Sequence, residues 1–245
     1  DGLVLDIKYG SGAFSEAPEE ATDLARQMCR VAGTAGLACR AVVSNMDEPL
    51  ARSAGNALEV HEAIRFLSGD EVFYRLQEVT LALCAELLLL GGLESSIEKG
   101  AERARLAIDS GAAAERFAAM VAGQGGPADL LERPDSYLPR AAVSRAVYPP
   151  AAGIVQAIDT RALGQAVVKL GGGRIHPGDR VDASVGLSQI AGVGEPVGPG
   201  EPLALVHASD DGAWEYAAAI LMSAYSVSGQ TCERSKLIHE TIRGE

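Results

Sequence analysis

Residues Leu3 to Phe14 read Leu-Val-Leu-Asp-Ile-Lys-Tyr-Gly-Ser-Gly-Ala-Phe, a stretch that joins the pattern of a buried strand to a glycine turn. Its first part, Leu3–Tyr9, is a nearly continuous apolar run, which favours a parallel strand covered by helices on both faces. Gly10 and Gly12 then allow the backbone to turn sharply before a helix. Ligands of open α/β sheets bind beyond the carboxyl ends of the strands. We therefore predict that Leu3–Tyr9 lies inside a sheet and that any ligand contact is near Phe14.

The residues after the glycine turn predict a strand-helix-strand unit. Ser15 is a candidate cap for a helix that begins near Ala17 and ends at Gly36, and Leu37–Val43 has the alternation and β-branching of a strand. We expect the connection of this unit to be right-handed and its two strands to be parallel. The loop Ser44–Pro49 should then be a neighbour of the glycine turn.

The remainder of the chain predicts two domains. Four further helices are predicted at about 57–67, 76–90, 95–110 and 112–122. A shift to Gly, Pro, Asp and Arg between Gly123 and Pro139 indicates a boundary. We predict an α/β domain over 1–138, with a parallel or mixed sheet flanked by helices, and an α+β domain over 139–245. The second is predicted to contain strands at 142–148, 154–158, 182–185, 203–207 and 237–242 and helices at 160–170 and 213–225.

A hairpin is predicted within the second domain. The glycine and valine spacing of Gly194–Leu203 resembles a hairpin of biotinyl and lipoyl carrier folds, which predicts a barrel-sandwich or hammerhead-like arrangement. Those carriers present a lysine at an exposed turn, and no lysine lies between Lys169 and Lys236. A carrier function is therefore not expected.

Composition limits the function classes. The 245 residues are 47% hydrophobic but only 4% aromatic, which predicts a core of Ala, Val and Leu. A net charge of −12 argues against nucleic acid and against anionic membrane surfaces as partners. The most apolar segment, Leu81–Leu90, is too short to span a bilayer. The four cysteines lack metal-type spacing and are predicted to be free thiols of the cytoplasm.

The turn Gly10–Gly12 could bind a phosphate, since a turn before a helix presents free N–H groups to an anion. However, Glu16, Glu19 and Glu20 follow at the helix start, where they complement the helix dipole and would repel phosphate. A structural tight turn is the favoured interpretation.

Several carboxylates lie within a short span after the second predicted strand. They are Asp47, Glu48, Glu59 and Glu62. Such groups can serve acid–base chemistry or bind a hard cation, and a solvated acidic face is the default interpretation.

The histidines are scattered, and no nucleophile motif stands near any of them. They are His61, His176, His207 and His239. Each is predicted to be structural. The loop Gly171–Arg174, together with His176, could close over an anion, but a connector between helix and strand is favoured.

Six blocks resemble the pyrimidine nucleoside phosphorylase family. They are Val4–Phe14, Asn45–Leu50, Gly55–Ala63, Tyr137–Pro139, Asp159–Gly164 and Gly171–Arg174. The resemblance covers nearly the whole chain but starts in the middle of the family's sequence. Because the chain also opens on Asp1-Gly2 rather than Met, we expect that an N-terminal part is missing.

The resemblance implies a pentosyltransferase that catalyses the reversible phosphorolysis of thymidine to thymine and 2-deoxyribose 1-phosphate. Phosphate is the co-substrate, and no organic cofactor is needed. The family's catalytic histidine, its phosphate ligands and the residues that grip the base lie upstream of this chain. We therefore expect no catalytic residue here, an inactive isolated chain, and a homodimer contact through the missing part. Lys8 is expected to be a structural ion-pair partner.

The resemblance also implies individual site residues. From its type alone, Phe14 could pack on a pyrimidine or be ordinary core, with core favoured. The family's matching phenylalanine lines the base pocket, which implies that Phe14 is a pocket wall and that Gly12 and Ala13 shape its approach. Some relatives hold a potassium ion with residues matching the carbonyls of Leu50 and Ser53 and the carboxylate of Glu62, so these three are candidate cation ligands.

Two alternatives stay open. The chain could be a truncated scaffold or subunit whose exposed sheet edge pairs with another chain, because a bare strand edge is an association liability. It could also derive from a related phosphorylase that acts on uridine or on nucleoside monophosphates.

Overall fold

The fold is seen in a computed structural model that describes residues 1–70 and 72–244. Strands among these residues are β1 (Gly2–Tyr9), β2 (Ala38–Asn45), β3 (Val143–Val147), β4 (Gly153–Ile158), β5 (Gly186–Ser188), β6 (Pro196–Val197), β7 (Ala204–Ala208), β8 (Tyr225–Ser228) and β9 (Ile238–Arg243). Helices are α1 (Pro18–Thr34), α2 (Asn56–Ser68), α3 (Tyr74–Leu90), α4 (Ile97–Asp109), α5 (Ala112–Gly123), α6 (Thr160–Val167) and α7 (Asp211–Ala224). A short 3-10 turn covers Pro134–Ser136.

The first sheet is mixed, with the strand order β1-β2-β9. Strands β1 and β2 are parallel and joined through α1, as the sequence predicts, while β9 from the carboxyl end pairs antiparallel with β2. The prediction that Leu3–Tyr9 lies inside the sheet is wrong for the described residues, because β1 is the edge strand. Helices α1 and α3 both contact β1. The apolar run therefore reflects the helices that cover β1, and it does not indicate a neighbouring strand on each side.

The start of α1 differs from the prediction. Ala17 precedes the helix without a side-chain cap, and Pro18 occupies its first turn, where a missing N–H is tolerated. Ser15 does not cap the helix, because it forms an isolated bridge with Tyr9 and its carbonyl accepts a hydrogen bond from the Gly10 N–H. Ser15 is therefore part of the glycine turn and not the cap of α1.

The second half of the chain contains two small antiparallel sheets. Their strand orders are β3-β7-β5 and β6-β4-β8. Helices α6 and α7 pack with them around one apolar core, which includes Val155, Leu163, Leu187, Val206 and Leu221. The predicted helix at 160–170 is α6 followed by one π-helical turn over Val168–Gly172.

Two local predictions in this half are wrong. The strand predicted at 182–185 is a turn, because the Asp182 carboxylate accepts hydrogen bonds from both the backbone and the hydroxyl of Ser184. The neighbouring strand is β5. Helix α7 ends at Ala224, one residue before the prediction, because Tyr225 already begins β8.

The two halves are joined by more than β9. Ala54 and Leu187 exchange backbone hydrogen bonds, and the N–H of Ala57 donates to the Ala183 carbonyl. The loop that leads into α2 is therefore held against β5. The predicted boundary near Pro139 stays a prediction. Among the described residues, helices long and apolar enough to cross a bilayer are absent.

Candidate functional site

The glycine turn and the loop after β2 are direct neighbours, as predicted. The Gly12 N–H donates to the Met46 carbonyl at 3.0 Å, and the Ser11 N–H donates to the Asp47 carboxylate at 2.9 Å. Gly10 has φ +113°, and a Cβ there would lie 2.5 Å from an Asp47 carboxylate oxygen. A side chain at this position is therefore excluded both by the backbone angle and by the close approach of Asp47.

The backbone donors of the turn are used inside the protein. In addition to the two hydrogen bonds above, the Gly10 N–H donates to the Ser15 carbonyl and the Ala13 N–H donates to the Gly10 carbonyl. An anion at this turn would have to displace these partners. The turn is a structural one, in agreement with the favoured interpretation of the sequence.

The same turn is docked onto the start of α6. The Ser11 hydroxyl donates to the Ile158 carbonyl at 3.1 Å, and Arg161 donates to the Ala13 carbonyl at 2.6 Å. A Cβ on Gly12 would meet the Thr160 methyl group at 2.6 Å. Residues from both halves of the chain therefore fix the backbone immediately before Phe14.

Phe14 itself is fully exposed, at 107% of its reference area, whereas Ala13 is buried. The interpretation of Phe14 as ordinary core is therefore wrong. A fully exposed aromatic ring gains nothing from packing within the described part of the chain, so its exposure suggests a role in contacting another molecule. The structure brings Gly12, Ala13 and Phe14 together at the carboxyl end of β1, and their roles in binding a base stay a prediction.

Of the four candidate carboxylates, Asp47 and Glu48 have both oxygens engaged, and the exposed Glu59 has one oxygen engaged. Asp47 accepts from Ser11 and from the Asn45 side chain at 2.7 Å. Glu48 is buried in an ion pair with Arg75 at 2.9 Å, and Glu59 accepts from the Gly55 N–H at 2.8 Å. These contacts stabilise the loops and the start of α2.

Glu62 is the exception. It is buried, and its Oε1 accepts the Arg52 N–H at 2.8 Å, but its Oε2 has no hydrogen-bond partner among the described residues. It lines a cavity of about 340 Å³ together with Leu50, Ser53 and Thr160. Thr160 Oγ1 is also buried and unpartnered within the described part of the chain. Leaving such oxygens dry and unpaired is costly, so this cavity is suited to a group that interacts with oxygen.

Lys8 forms an ion pair with Asp6 at 2.7 Å and donates to the Ser44 hydroxyl at 2.8 Å. The expected structural role of Lys8 is confirmed by these contacts.

Histidine contacts are also local. His239 packs edge-on against Tyr9, and burial lowers the pKa of His207, which lies between two serine hydroxyls. The N–H of His176 donates to Asp179, which closes the loop that follows Gly171–Arg174. This arrangement is typical of a connector.

Sequence reasoning missed the residues that anchor this region. Arg75 lies in a strongly apolar helix. Thr160 and Arg161 lie in the block Asp159–Gly164, which carries the family resemblance but for which the sequence predicts no functional role. Arg75 donates to the Asn45 and Glu48 carbonyls as well as to the Glu48 carboxylate. The one available signal is a single arginine at the start of a strongly apolar helix, which predicts a buried partner.

Comparison with known proteins agrees with this architecture. A model described as the glycosyl transferase family a/b domain matches residues 1–114, and one described as the pyrimidine nucleoside phosphorylase C-terminal domain matches residues 154–228. Thymidine phosphorylase of Burkholderia orbicola (strain MC0-3) is 49% identical over 242 residues, which are 99% of this chain and 55% of the relative. Thymidine phosphorylase of Burkholderia cenocepacia (strain HI2424) is 48% identical over the same length.

The mixed α/β fold and these matches place the chain in the class of proteins that combine a glycosyl transferase family a/b domain with a pyrimidine nucleoside phosphorylase C-terminal domain. More particularly, the chain belongs to the pyrimidine nucleoside phosphorylase family. It spans about 55% of the length of the curated relatives that it matches.

Proposed function

We propose that the chain is part of a thymidine phosphorylase, which converts thymidine and phosphate reversibly to thymine and 2-deoxyribose 1-phosphate. The observation that supports this most directly is the fully exposed ring of Phe14 on a backbone fixed from both halves of the chain. An exposed aromatic face on a fixed backbone at a strand end suits stacking on a pyrimidine. The names of the two Burkholderia relatives point to the same base.

The reaction sets demands that this chain meets only in part. Phosphate must attack the anomeric carbon while the bond to the base breaks, so the site needs donors for the phosphate and for the charge that develops on the base. In the proposal, Phe14 fixes the plane of the base, Gly12 and Ala13 leave room for it, and the donors come from outside this chain. The isolated chain is therefore proposed to be inactive.

The test is complementation. We expect the purified chain to release no thymine from thymidine and phosphate, and to gain activity when co-expressed with the part of the Burkholderia orbicola relative that it does not cover. In that complex, Phe14→Ala should raise the KM for thymidine about tenfold, because one aromatic stack contributes about 1–3 kcal/mol. The measurement is ultraviolet detection of thymine.

Tyr148→Ala is the matched control, since it removes an exposed aromatic side chain from the second half of the chain. Its KM should equal that of the unmodified complex. Thymine release by the chain alone would contradict the proposed inactivity, and an unchanged KM for Phe14→Ala would remove Phe14 from the base pocket.

We further propose that Leu50, Ser53 and Glu62 hold a potassium ion. The unpartnered Glu62 Oε2 supplies one negative charge, and the Leu50 and Ser53 carbonyls accept no hydrogen bond from the described residues. A single carboxylate with neutral oxygens suits a monovalent cation, because buried charge requires a counter-charge. When bound, the ion would neutralise Glu62 and stabilise the loop that leads into α2.

A second candidate function is that of a scaffold or subunit. It is favoured by the open edge of β1, where Leu3 is 37% exposed and no strand pairs with the outer side among the described residues. Such an edge can accept a strand from another chain.

If β1 pairs with further copies of the chain, static light scattering should give an apparent mass that rises with concentration. Leu3→Lys should lower this association several-fold, since a charge on an edge strand opposes pairing. Val31→Lys on α1 is the matched control, because it places the same charge at an exposed apolar position away from the edge. A monodisperse monomer at all concentrations would contradict the scaffold function.

The proposal also covers the compartment, the assembly and the partners of the protein. The compartment is the cytoplasm, in keeping with four free thiols, of which Cys29 has its pKa raised to about 11 by burial and by neighbouring Cys39. The assembly is a homodimer through residues outside this chain, and neither nucleic acid nor membrane is a partner. Uridine is the alternative substrate.

The two antiparallel sheets of the second half are the basis for proposing a barrel-sandwich arrangement.

A further inference from the structure

A separate cavity of about 410 Å³ lies between α2 and the strands β3, β5 and β7. We call it the arginine pocket. The side chains that matter for its chemistry are Ser53, His61, Arg65, Arg140, Ser188 and His207. It contains neither the glycine turn nor Phe14, so it is distinct from the proposed base pocket.

The charge of the arginine pocket is opposite to that of the protein. The chain carries a net charge of −12, yet two arginines line this cavity and none of its lining residues is Asp or Glu. Outside the lining set, Asp135 pairs with Arg140 at 2.6 Å and lies 3.7 Å from a ring nitrogen of His61. A concave site with this charge attracts anions.

Three charged side chains act on His61 in the wall of the pocket. Its pKa is lowered chiefly by burial, and the charges of Arg65 and Arg140 lower it further, while Asp135 opposes them. Both arginines are therefore close enough to act on a group in the wall of the cavity.

Hydroxyl groups and a fixed imidazole complete the lining. The two ring nitrogens of His207 lie 2.8 Å from the Ser188 hydroxyl and 3.3 Å from the Ser144 hydroxyl, which holds the ring in one orientation. Ser53 is 93% buried, and its hydroxyl has no hydrogen-bond partner in the described part of the chain. A hydroxyl that lines a cavity without a protein partner can form a hydrogen bond with a ligand.

We propose that the arginine pocket binds a phosphate monoester of a small sugar. Guanidinium groups suit the phosphate oxygens because they can donate two parallel hydrogen bonds. The serine hydroxyls and the neutral imidazole offer uncharged partners for sugar hydroxyls. The volume exceeds the needs of a phosphate ion alone and falls within the range of small-molecule sites.

The pocket also touches the proposed cation site. Ser53 lines both the arginine pocket and the cavity that contains Glu62. A ligand that orders Ser53 therefore acts on a residue shared by the two sites.

Proton NMR of the histidine rings tests the site in the 245-residue chain. Ribose 5-phosphate is the probe, with inorganic phosphate and uncharged ribose as the other arms. We expect ribose 5-phosphate to shift the ring protons of His61 and His207 in a saturable way and to leave those of His176 and His239 unchanged. Inorganic phosphate should bind at least threefold more weakly, and ribose should not bind.

Calorimetric titration of variants separates the pocket from general charge effects. Arg65→Gln and Arg140→Gln should each weaken binding of ribose 5-phosphate about tenfold, since a hydrogen bond to a charged group contributes about 1.5–3 kcal/mol. Asp135→Asn should strengthen it about threefold, because Arg140 is released from its exposed ion pair. Arg103→Gln, which removes an exposed, ion-paired arginine of α4, is the matched control and should change nothing.

The proposal is overturned if ribose 5-phosphate shifts none of the four histidines, or shifts all of them equally. It is also overturned if Arg103→Gln weakens binding as much as the pocket variants do, or if free phosphate binds as tightly as the sugar phosphate. None of these measurements uses thymidine or catalysis. Failure of the arginine pocket and failure of the proposed phosphorylase function are therefore distinguishable.

Discussion

Replacing Arg75 with methionine should lower the free energy of unfolding by about 3–5 kcal/mol, because it leaves the Glu48 carboxylate buried without its counter-charge. Arg75 is 1% exposed and Glu48 is 4% exposed. The guanidinium also donates to the Asn45 carbonyl, and the Glu48 carboxylate accepts the Val193 N–H at 2.8 Å. One ion pair therefore joins α3, the end of β2 and the second half of the chain. The measurement is urea unfolding, with a fall in Tm of about 10 °C as its thermal counterpart.

A double variant tests whether the loss of stability comes from the buried Glu48 charge that remains without its counter-charge. In the double variant Arg75→Met with Glu48→Leu, much of the stability should return, since both charges of the buried pair are gone. Arg103→Met removes an exposed arginine that pairs with Glu94 at 3.0 Å and should change stability by less than about 0.5 kcal/mol. A double variant as unstable as the sum of the two single variants would contradict this account.

The parts of the fold that the sequence predicts well are those set by local pattern. The β1-α1-β2 unit follows from an apolar run, a glycine turn and a second alternating run, and each is contiguous in the chain. The apolar run does not reveal the edge position of β1, because apolar side chains report which faces are covered and carry no information on hydrogen bonding at the edges. An exposed edge is predicted only by the scaffold alternative. The pairing of β9 with β2 spans almost the whole chain and has no local signal.

At the candidate site, too, the sequence predicts local features better than contacts between distant parts of the chain. Glu62 was one of four carboxylates that the sequence alone could not rank, and the structure distinguishes it because, of their oxygens, only its Oε2 is both buried and without a partner among the described residues. The anchoring of the glycine turn by Arg161 joins residues 148 positions apart. Such a contact depends on how the two halves pack, so composition and spacing near Phe14 could not reveal it. The same packing brings Arg140 to α2 in the arginine pocket.

If the cavity at Glu62 holds potassium, the stability of the chain should depend on that ion. At a concentration near 100 times the dissociation constant, binding to the folded state alone adds about 2.7 kcal/mol to the free energy of unfolding. Glu62→Gln should abolish this gain. In buffer without alkali cations the variant should be at least as stable as the unmodified chain, because it removes a buried charge whose Oε2 is unpartnered. The Arg52 N–H keeps an acceptor, since glutamine retains one side-chain oxygen.

Urea unfolding in potassium chloride and in N-methylglucamine chloride of equal ionic strength provides the measurement. Glu59→Gln is the matched control: it makes the same change of charge in a residue that lines the same cavity, and its carboxylate already accepts the Gly55 N–H. Because Glu59 is exposed, its loss should leave the potassium dependence intact. Equal stability of the unmodified chain in the two salts would contradict the cation site, and equal loss of the potassium effect in both variants would show that overall charge, and not Glu62, controls it.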